Sequence, residues 1–109
     1  MTTIGRVYWT GASGQRYTFD MHPLGSPLPR SAGLYVFAGG DGWVPTYFGE
    51  TEDFFDRLYA QLDSHHAIDC ARRNGATHVG VLALTGGKTA RLNAEADLRN
   101  AVKTACNRQ

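Results

Sequence analysis

The sequence predicts an α+β protein in which helices flank a small three-stranded antiparallel or mixed sheet, with an additional N-terminal β-hairpin. Two observations lead to this class. Short β-branched and aromatic runs alternate along the chain with longer segments whose apolar residues recur at helical spacing. The 109 residues, 42% hydrophobic and 19% charged, suffice for one core. We therefore predict a single compact unit, made of an N-terminal part over residues 1–32 and a main part over residues 33–109.

The N-terminal part begins with two strand-like runs, RVYW at residues 6–9 and RYTF at residues 16–19. The sequence GASG between them predicts a hairpin turn, so the pair is expected at an edge of the sheet. Residues 21–31 (MHPLGSPLPRS) contain three prolines and a glycine. Because neither a helix nor a central strand accommodates such a composition, this segment predicts a surface loop.

The main part opens with two further strands, GLYVFA at residues 33–38 and PTYFGE at residues 45–50. The glycines and aspartate of GGDGW between them accept the positive φ angles of a tight turn, so we predict an antiparallel hairpin. Thr51 is placed to cap the following helix. One face of that helix carries apolar residues at helical spacing, namely Phe54, Phe55, Leu58, Tyr59 and Leu62.

Three elements complete the predicted order. AIDCARRNGA at residues 67–76 resembles a short helix that ends at Gly75, and THVGVLAL at residues 77–84 is typical of a buried third strand. The final segment, residues 89–107, predicts a closing helix with an apolar stripe.

The cysteines and the N-terminal residues indicate the cellular compartment in which the protein is expected. Cys70 and Cys106 lack metal-ligand spacing, so we expect reduced packing residues, with a disulfide between them as the less favoured alternative. No long apolar run resembles a signal peptide or a membrane span. These observations predict a cytoplasmic protein with no membrane association.

The net charge of +1 excludes a global field that would draw the whole protein onto nucleic acid. Any phosphate binding therefore requires a local patch of cations. The candidates are Arg16, Arg30, Arg57, Arg72, Arg73 and Lys88.

Two tyrosines next to glycines carry the first functional signal. Tyr35 ends GLY, and Tyr47 begins YFG in the neighbouring strand. A strand glycine often marks a close approach of another backbone or a ligand. Arg57 on the first helix and Glu95 on the last add a cation and an acid near apolar stripes, although solvated helix flanks would look the same.

Together with Glu50, Thr51 and Asn107, these residues resemble the GIY-YIG nuclease family, in the family's order over residues 33–107. The resemblance implies a metal-dependent endonuclease that hydrolyses DNA phosphodiester bonds with Mg²⁺ or Mn²⁺. Tyr35 would act as base or orient water, with Tyr47 as its hydrogen-bonding neighbour. Arg57 would clamp the scissile phosphate and Glu95 would bind the metal. The implied substrate-binding or supporting residues are Gly49, Thr51, Gln61, His65 and Asn107.

The chemistry fits these residue types, because phosphodiester cleavage needs a guanidinium, a divalent cation and a group that directs water. Gln61 stands where many family members have histidine, and His65 or His66 are alternative sources of an imidazole. The near-neutral charge and Gln61 also leave open a catalytically silent module that binds nucleic acid or a protein partner. A zinc site formed by His65 and His66 with Asp63, Asp69 and Cys70 is disfavoured, since adjacent helical residues point about 100° apart. The choice between DNA and RNA, the biological role and the oligomeric state stay open.

Overall fold

The computed structural model describes residues 5–107, and its centre is one five-stranded sheet. The spatial order is β1-β2-β5-β3-β4, and every neighbouring pair is antiparallel. The strands are β1 (Gly5–Thr10), β2 (Arg16–Pro23), β3 (Gly33–Gly39), β4 (Val44–Thr51) and β5 (His78–Ala83).

The predicted fold class, a three-stranded sheet flanked by helices, is wrong. The N-terminal hairpin β1–β2 pairs through β2 with the free edge of β5 and so becomes part of the same sheet. Gly80 of β5 permits this contact, because a Cβ there would lie 2.6 Å from the sulfur of Met21 in β2. Without the hairpin, β5 would present an unpaired edge. The strand β2 accordingly runs on to Pro23, into the segment predicted as loop.

The helical segments are shorter than predicted. They comprise a π-helix (Asp56–Ala60), a 3₁₀ turn (Leu62–Ser64), α1 (Ile68–Arg73) and α2 (Gly87–Ala101). The chain leaves α2 at Ala101, before the predicted end, and Val102 is already extended. No helix among residues 5–107 is long and apolar enough to cross a membrane.

The central strand β3 is buried along its whole length, because apolar clusters cover both faces of the sheet. Tyr35 and Phe37 point to one face, where they pack with the π-helix, the 3₁₀ turn and α1. Leu34 and Val36 point to the opposite face, toward β2 and Leu98 of α2. The alternation along β3 therefore assigns the tyrosine of GLY to the face that carries the π-helix.

A disulfide joins Cys70 of α1 to Cys106, with their Cα atoms 5.9 Å apart, so the expectation of reduced cysteines is wrong. The two residues are 36 positions apart in sequence, and only the fold brings them together. The amide of Cys106 also donates to the carbonyl of Thr46 at 2.9 Å. We call residues 102–107 the C-terminal segment, and it is held against β4.

Candidate functional site

The GLY and YFG motifs meet because Tyr35 and Gly49 are cross-strand partners. A Cβ at position 49 would lie 2.6 Å from the Tyr35 hydroxyl oxygen, so the phenol ring occupies the space that any larger residue would need. At Gly33 a Cβ would meet the backbone of β5 and the ring of Phe54. The glycines of the two motifs are thus explained by close approach rather than by turns.

Tyr35 and Tyr47 lie on the same face of the sheet, with ring centroids 6.0 Å apart. Tyr35 is 1% exposed and Tyr47 is 8% exposed, so Tyr47 is the phenol nearer the surface. Each hydroxyl contacts the Nε2 atom of one histidine, at 2.6 Å for Tyr35 with His65 and 3.1 Å for Tyr47 with His66. The site therefore contains two hydrogen-bonded tyrosine–histidine pairs, one at each strand tyrosine.

The buried ring of His65 has its tautomer set by the backbone. The amide of Ala67 donates to His65 Nδ1 at 2.9 Å, so the proton of the neutral ring is on Nε2. Nε2–H then donates to the Tyr35 oxygen. Burial, followed by the charges of Arg57 and His66, lowers the pKa of His65 to about 3. His65 is thus a neutral donor that fixes Tyr35, not an acid at neutral pH.

His66 has the same tautomer for a different reason. Arg57 Nη2 lies 3.2 Å from His66 Nδ1, and because a guanidinium can only donate, Nδ1 is the acceptor. Neutral His66 therefore donates from Nε2 to the Tyr47 hydroxyl. The His65 and His66 rings stack with centroids 4.7 Å apart. Arg57, His66 and Tyr47 thus form one directional chain of hydrogen bonds.

The two phenols are protonated at neutral pH. Burial is the largest cause that raises the pKa of Tyr35, Tyr47 raises it further, and Arg57 acts in the opposite direction. For Tyr47, burial and then the charge of Glu95 raise the pKa, while Tyr35, Arg57 and Arg99 lower it. Both groups can orient or donate, and neither is a base without additional positive charge.

Arg57 lies in the π-helix, a local structure that is frequent at functional sites. The amide of Gln61 donates to the carbonyl of Asp56 at 3.0 Å, five residues back, which widens this turn. The Gln61 side chain bonds Asp56 at 3.0 Å and is exposed. Thr51 Oγ1 accepts from the Asp53 amide at 3.2 Å. Neither Gln61 nor Thr51 shares a described hydrogen bond with the tyrosine cluster.

Glu95 lies on α2, half-buried, and its charge acts on Tyr47. Burial is the largest influence and raises the pKa of Glu95, Arg99 lowers it, and Glu50 raises it. Glu50 itself accepts from Arg91 Nε at 2.8 Å, and Lys88 lies 3.8 Å away. Charged groups therefore extend from the end of β4 along α2, with Glu95 among them.

Asn107 supports the strand that carries Tyr47. Its side chain accepts from the Phe48 amide at 2.7 Å and donates to the Phe48 carbonyl at 2.9 Å. These two bonds imitate a neighbouring strand on the outer edge of β4. Asn107 thus contacts backbone rather than the tyrosine hydroxyls.

The structure brings Tyr35, Tyr47, Arg57 and His65 into one cluster, with the charge of Glu95 beside it. The sequence analysis named His66 as a substitute for Gln61 and as a disfavoured zinc ligand, and it missed Arg91 and Arg99. The spacing of Arg91, Glu95 and Arg99, each four residues apart on one helix, was the available signal.

The predicted cationic patch is only partly assembled. Arg57 and Lys88 line one cavity of about 370 Å³, together with Arg91. Arg30 instead pairs with Asp53 at 2.7 Å, and Arg16 lies over the ring of Tyr8. The acids Glu50 and Glu52 line the same cavity, and Glu50 pairs with both Lys88 and Arg91.

Glu95 is the predicted ligand of a divalent metal ion. Among residues 5–107 no group of three or more His, Cys, Asp or Glu residues is arranged to hold one. Magnesium commonly binds one or two carboxylates and keeps several waters, so Glu95 fits as a single ligand of a hydrated Mg²⁺ or Mn²⁺. The alternative zinc ligand Cys70 is bonded to Cys106.

Comparison with known proteins found no relative. No family model, curated protein or solved structure matches the chain.

Proposed function

We propose that this protein is a divalent-metal-dependent endonuclease that hydrolyses DNA phosphodiester bonds, as its resemblance to GIY-YIG nucleases implies. One observation carries the proposal. Tyr47 and Arg57 come from different elements and meet in one hydrogen-bonded chain through His66, beside the charge of Glu95. This combination supplies a phosphate clamp, a water-orienting hydroxyl and a metal ligand.

Arg57 would bind the scissile phosphate. A guanidinium has five N–H donors, and the bond to His66 occupies one of them while fixing the orientation of the group. Glu95 would hold Mg²⁺ or Mn²⁺, which when bound supplies Lewis acidity and lowers the pKa of coordinated water.

Tyr47 is the phenol placed to orient water. Its oxygen accepts from His66, so its own proton is free to point toward an acceptor in the site. Tyr35 is almost fully buried and acts as a positioning residue beneath Tyr47. This assignment exchanges the roles that the sequence motifs alone suggest for the two tyrosines.

The test is a plasmid-nicking assay with Mg²⁺ or Mn²⁺. Wild-type protein should nick or linearise the plasmid, and EDTA should abolish the reaction. Glu95→Gln should reduce the rate by at least about 100-fold, because a carboxylate metal ligand is lost. Arg57→Lys should also be impaired, since a point charge replaces a bidentate fork.

Asp41→Asn is the matched control, because Asp41 is an exposed acid in the β3–β4 turn. It should cleave at the wild-type rate. Equal activity of wild-type protein and Glu95→Gln would overturn the enzymatic proposal.

A second candidate is a catalytically silent module that binds nucleic acid or a protein partner. It is favoured by the ion pairs of Glu50 with Arg91 and Lys88, which neutralise one acid and two cations at the Arg57 cavity. DNA binding without cleavage in any divalent ion would select this candidate.

A cytoplasmic location is retained only as a prediction. The Cys70–Cys106 disulfide weighs against it, because such bonds are typical of oxidising environments. Alkylation of free thiols in intact cells tests this prediction, because unreactive cysteines would indicate an oxidising compartment and overturn it.

A further inference from the structure

We propose that an open cavity between α2 and the C-terminal segment is a second phosphate-binding subsite, which holds the nucleic acid strand beyond the bond cleaved near Glu95. The inference rests on the proposed nuclease function and extends it from Glu95 to neighbouring residues of α2 and the C-terminal segment, Arg99 and Lys103, to which the motifs assign no role. We call this cavity the flanking cavity. Its volume is about 490 Å³, and its wall includes Glu95, Arg99 and Lys103.

The flanking cavity and the cavity around Arg57 lie along the same helix. Arg91 lines the Arg57 cavity, whereas Glu95 and Arg99 line the flanking cavity. Four residues advance an α-helix by about 6 Å, so Arg91 and Arg99 are about 12 Å apart along its axis. A nucleic acid strand rises about 3.4 Å per nucleotide in a duplex, so this row spans on the order of three to four nucleotides.

The charges of the flanking cavity suit a phosphate. Arg99 and Lys103 contribute two cations against the one half-buried acid, Glu95. Arg99 Nη2 lies 3.4 Å from the Asn107 carbonyl, which orients the guanidinium toward the C-terminal segment. Lys103 is exposed, so its ammonium group is accessible to a ligand.

An apolar wall accompanies these cations. Leu92 lines the flanking cavity and is 43% exposed, so it presents an apolar surface to a ligand there. Leu92, Ala96 and Asn100 follow one another at four-residue intervals on α2 and all line the cavity. A cationic side next to an apolar and amide side matches a phosphate joined to a sugar and base.

The test measures binding rather than cleavage. Fluorescence anisotropy with a labelled DNA duplex, in EDTA and over a range of salt concentrations, gives the slope of log Kobs against log[salt]. Each phosphate contact contributes about 0.9 to that slope. We expect Lys103→Ala to reduce the slope by about 0.9 and to weaken binding several-fold, and Lys103→Glu to weaken it further.

Arg6→Ala is the matched control, because Arg6 is an exposed cation on β1 that lines neither cavity. It should leave the slope unchanged. Both lysine variants should keep the wild-type circular dichroism spectrum, since Lys103 is exposed and lies outside α2.

The outcomes separate the two proposals. A reduced slope for Lys103→Ala in a protein that never cleaves would support the subsite and overturn the nuclease. Cleavage by wild-type protein with an unchanged slope for Lys103→Ala would overturn the subsite and leave the nuclease standing. Equal effects of Lys103→Ala and Arg6→Ala, or no binding at all, would overturn the subsite.

Discussion

At the scale of single residues, the candidate site depends on a close contact between Tyr35 and Gly49. The Tyr35 ring is packed by Phe37, Tyr47 and His65 at centroid distances of 5.6, 6.0 and 5.6 Å, so it has no free direction in which to move. A side chain at position 49 must therefore displace the ring or separate the strands.

We expect Gly49→Ala to lower the free energy of unfolding by about 1–3 kcal/mol, as for other overpacked sites. Urea unfolding measures this change. In a Tyr35→Ala background the obstructing ring is absent, so Gly49→Ala should cost clearly less than it does in wild-type protein. Additive effects of the two substitutions would contradict the contact.

The pH dependence of stability tests the neutral state of His65. Its pKa is lowered from 6.5 to about 3 by burial first, then by the charges of Arg57 and His66. As the pH falls through this window, the unfolded chain gains a proton that the folded protein does not bind. The free energy of unfolding should therefore fall between pH 6.5 and 3, by at most about 1.4 kcal/mol per pH unit.

Urea unfolding at a series of pH values compares wild-type protein with His65→Gln, in which this contribution is absent. His78→Gln is the control, because His78 is partly exposed and lies outside the tyrosine cluster. Identical acid dependence in wild-type protein and His65→Gln would rule out a buried neutral imidazole.

At the scale of elements, Asp97 of α2 attaches the β1–β2 turn to the rest of the protein. Its carboxylate accepts from the Ser13 amide at 2.8 Å, the Ser13 hydroxyl at 2.6 Å and the Tyr17 hydroxyl at 2.8 Å. These bonds lower the pKa of Asp97, those from Ser13 and Tyr17 being the largest causes. Burial first, then Asp97, raises the pKa of Tyr17 to about 12. The hairpin that overturned the predicted fold is thus held at its turn as well as along β5.

We expect Asp97→Ala to lower the melting temperature and to increase hydrogen exchange at the Ser13 amide. The stabilisation is complete above the unfolded pKa of 3.8 and is lost as the pH falls through the lower folded value. The stability of Asp97→Ala should not show this decrease at acid pH. Asp41→Asn, a change at an exposed acid, should behave as wild type, and unchanged exchange at Ser13 would refute the attachment.

At the scale of the whole molecule, the Cys70–Cys106 disulfide connects α1 to the C-terminal segment. The C-terminal segment in turn bonds β4 through Cys106 and Asn107. The cross-link therefore joins the face that carries the histidines to the strand that carries Tyr47.

The double variant Cys70→Ser with Cys106→Ser should lose about 2–4 kcal/mol of unfolding free energy, because the unfolded chain is no longer constrained. Urea unfolding with and without a reductant measures the loss. Reductant should destabilise wild-type protein and leave the double variant unchanged. Equal midpoints for oxidised wild-type protein and the variant would show that the cross-link has no effect.

Local signals were sufficient for several elements, whereas the roles of the site residues stay predictions. Strand β3 and strand β4 lie within one or two residues of the predicted runs. The glycines of the two motifs indicated a close approach, and the structure contains one at each. His66 was named from the sequence as an alternative imidazole, but its contact with Arg57 was not predictable, because the two side chains meet only in the folded chain.

The sequence by itself determined the positions of β3, β4 and β5 and the turn between β3 and β4, since residue periodicity and turn residues are local properties of the chain. The tertiary structure alone decided that β2 pairs with β5, that Cys70 meets Cys106 and that the helix around Arg57 widens into a π-turn. Those outcomes depend on which surfaces are left uncovered when distant segments pack together. The spacing of residues along the sequence does not indicate which distant segments will pack together.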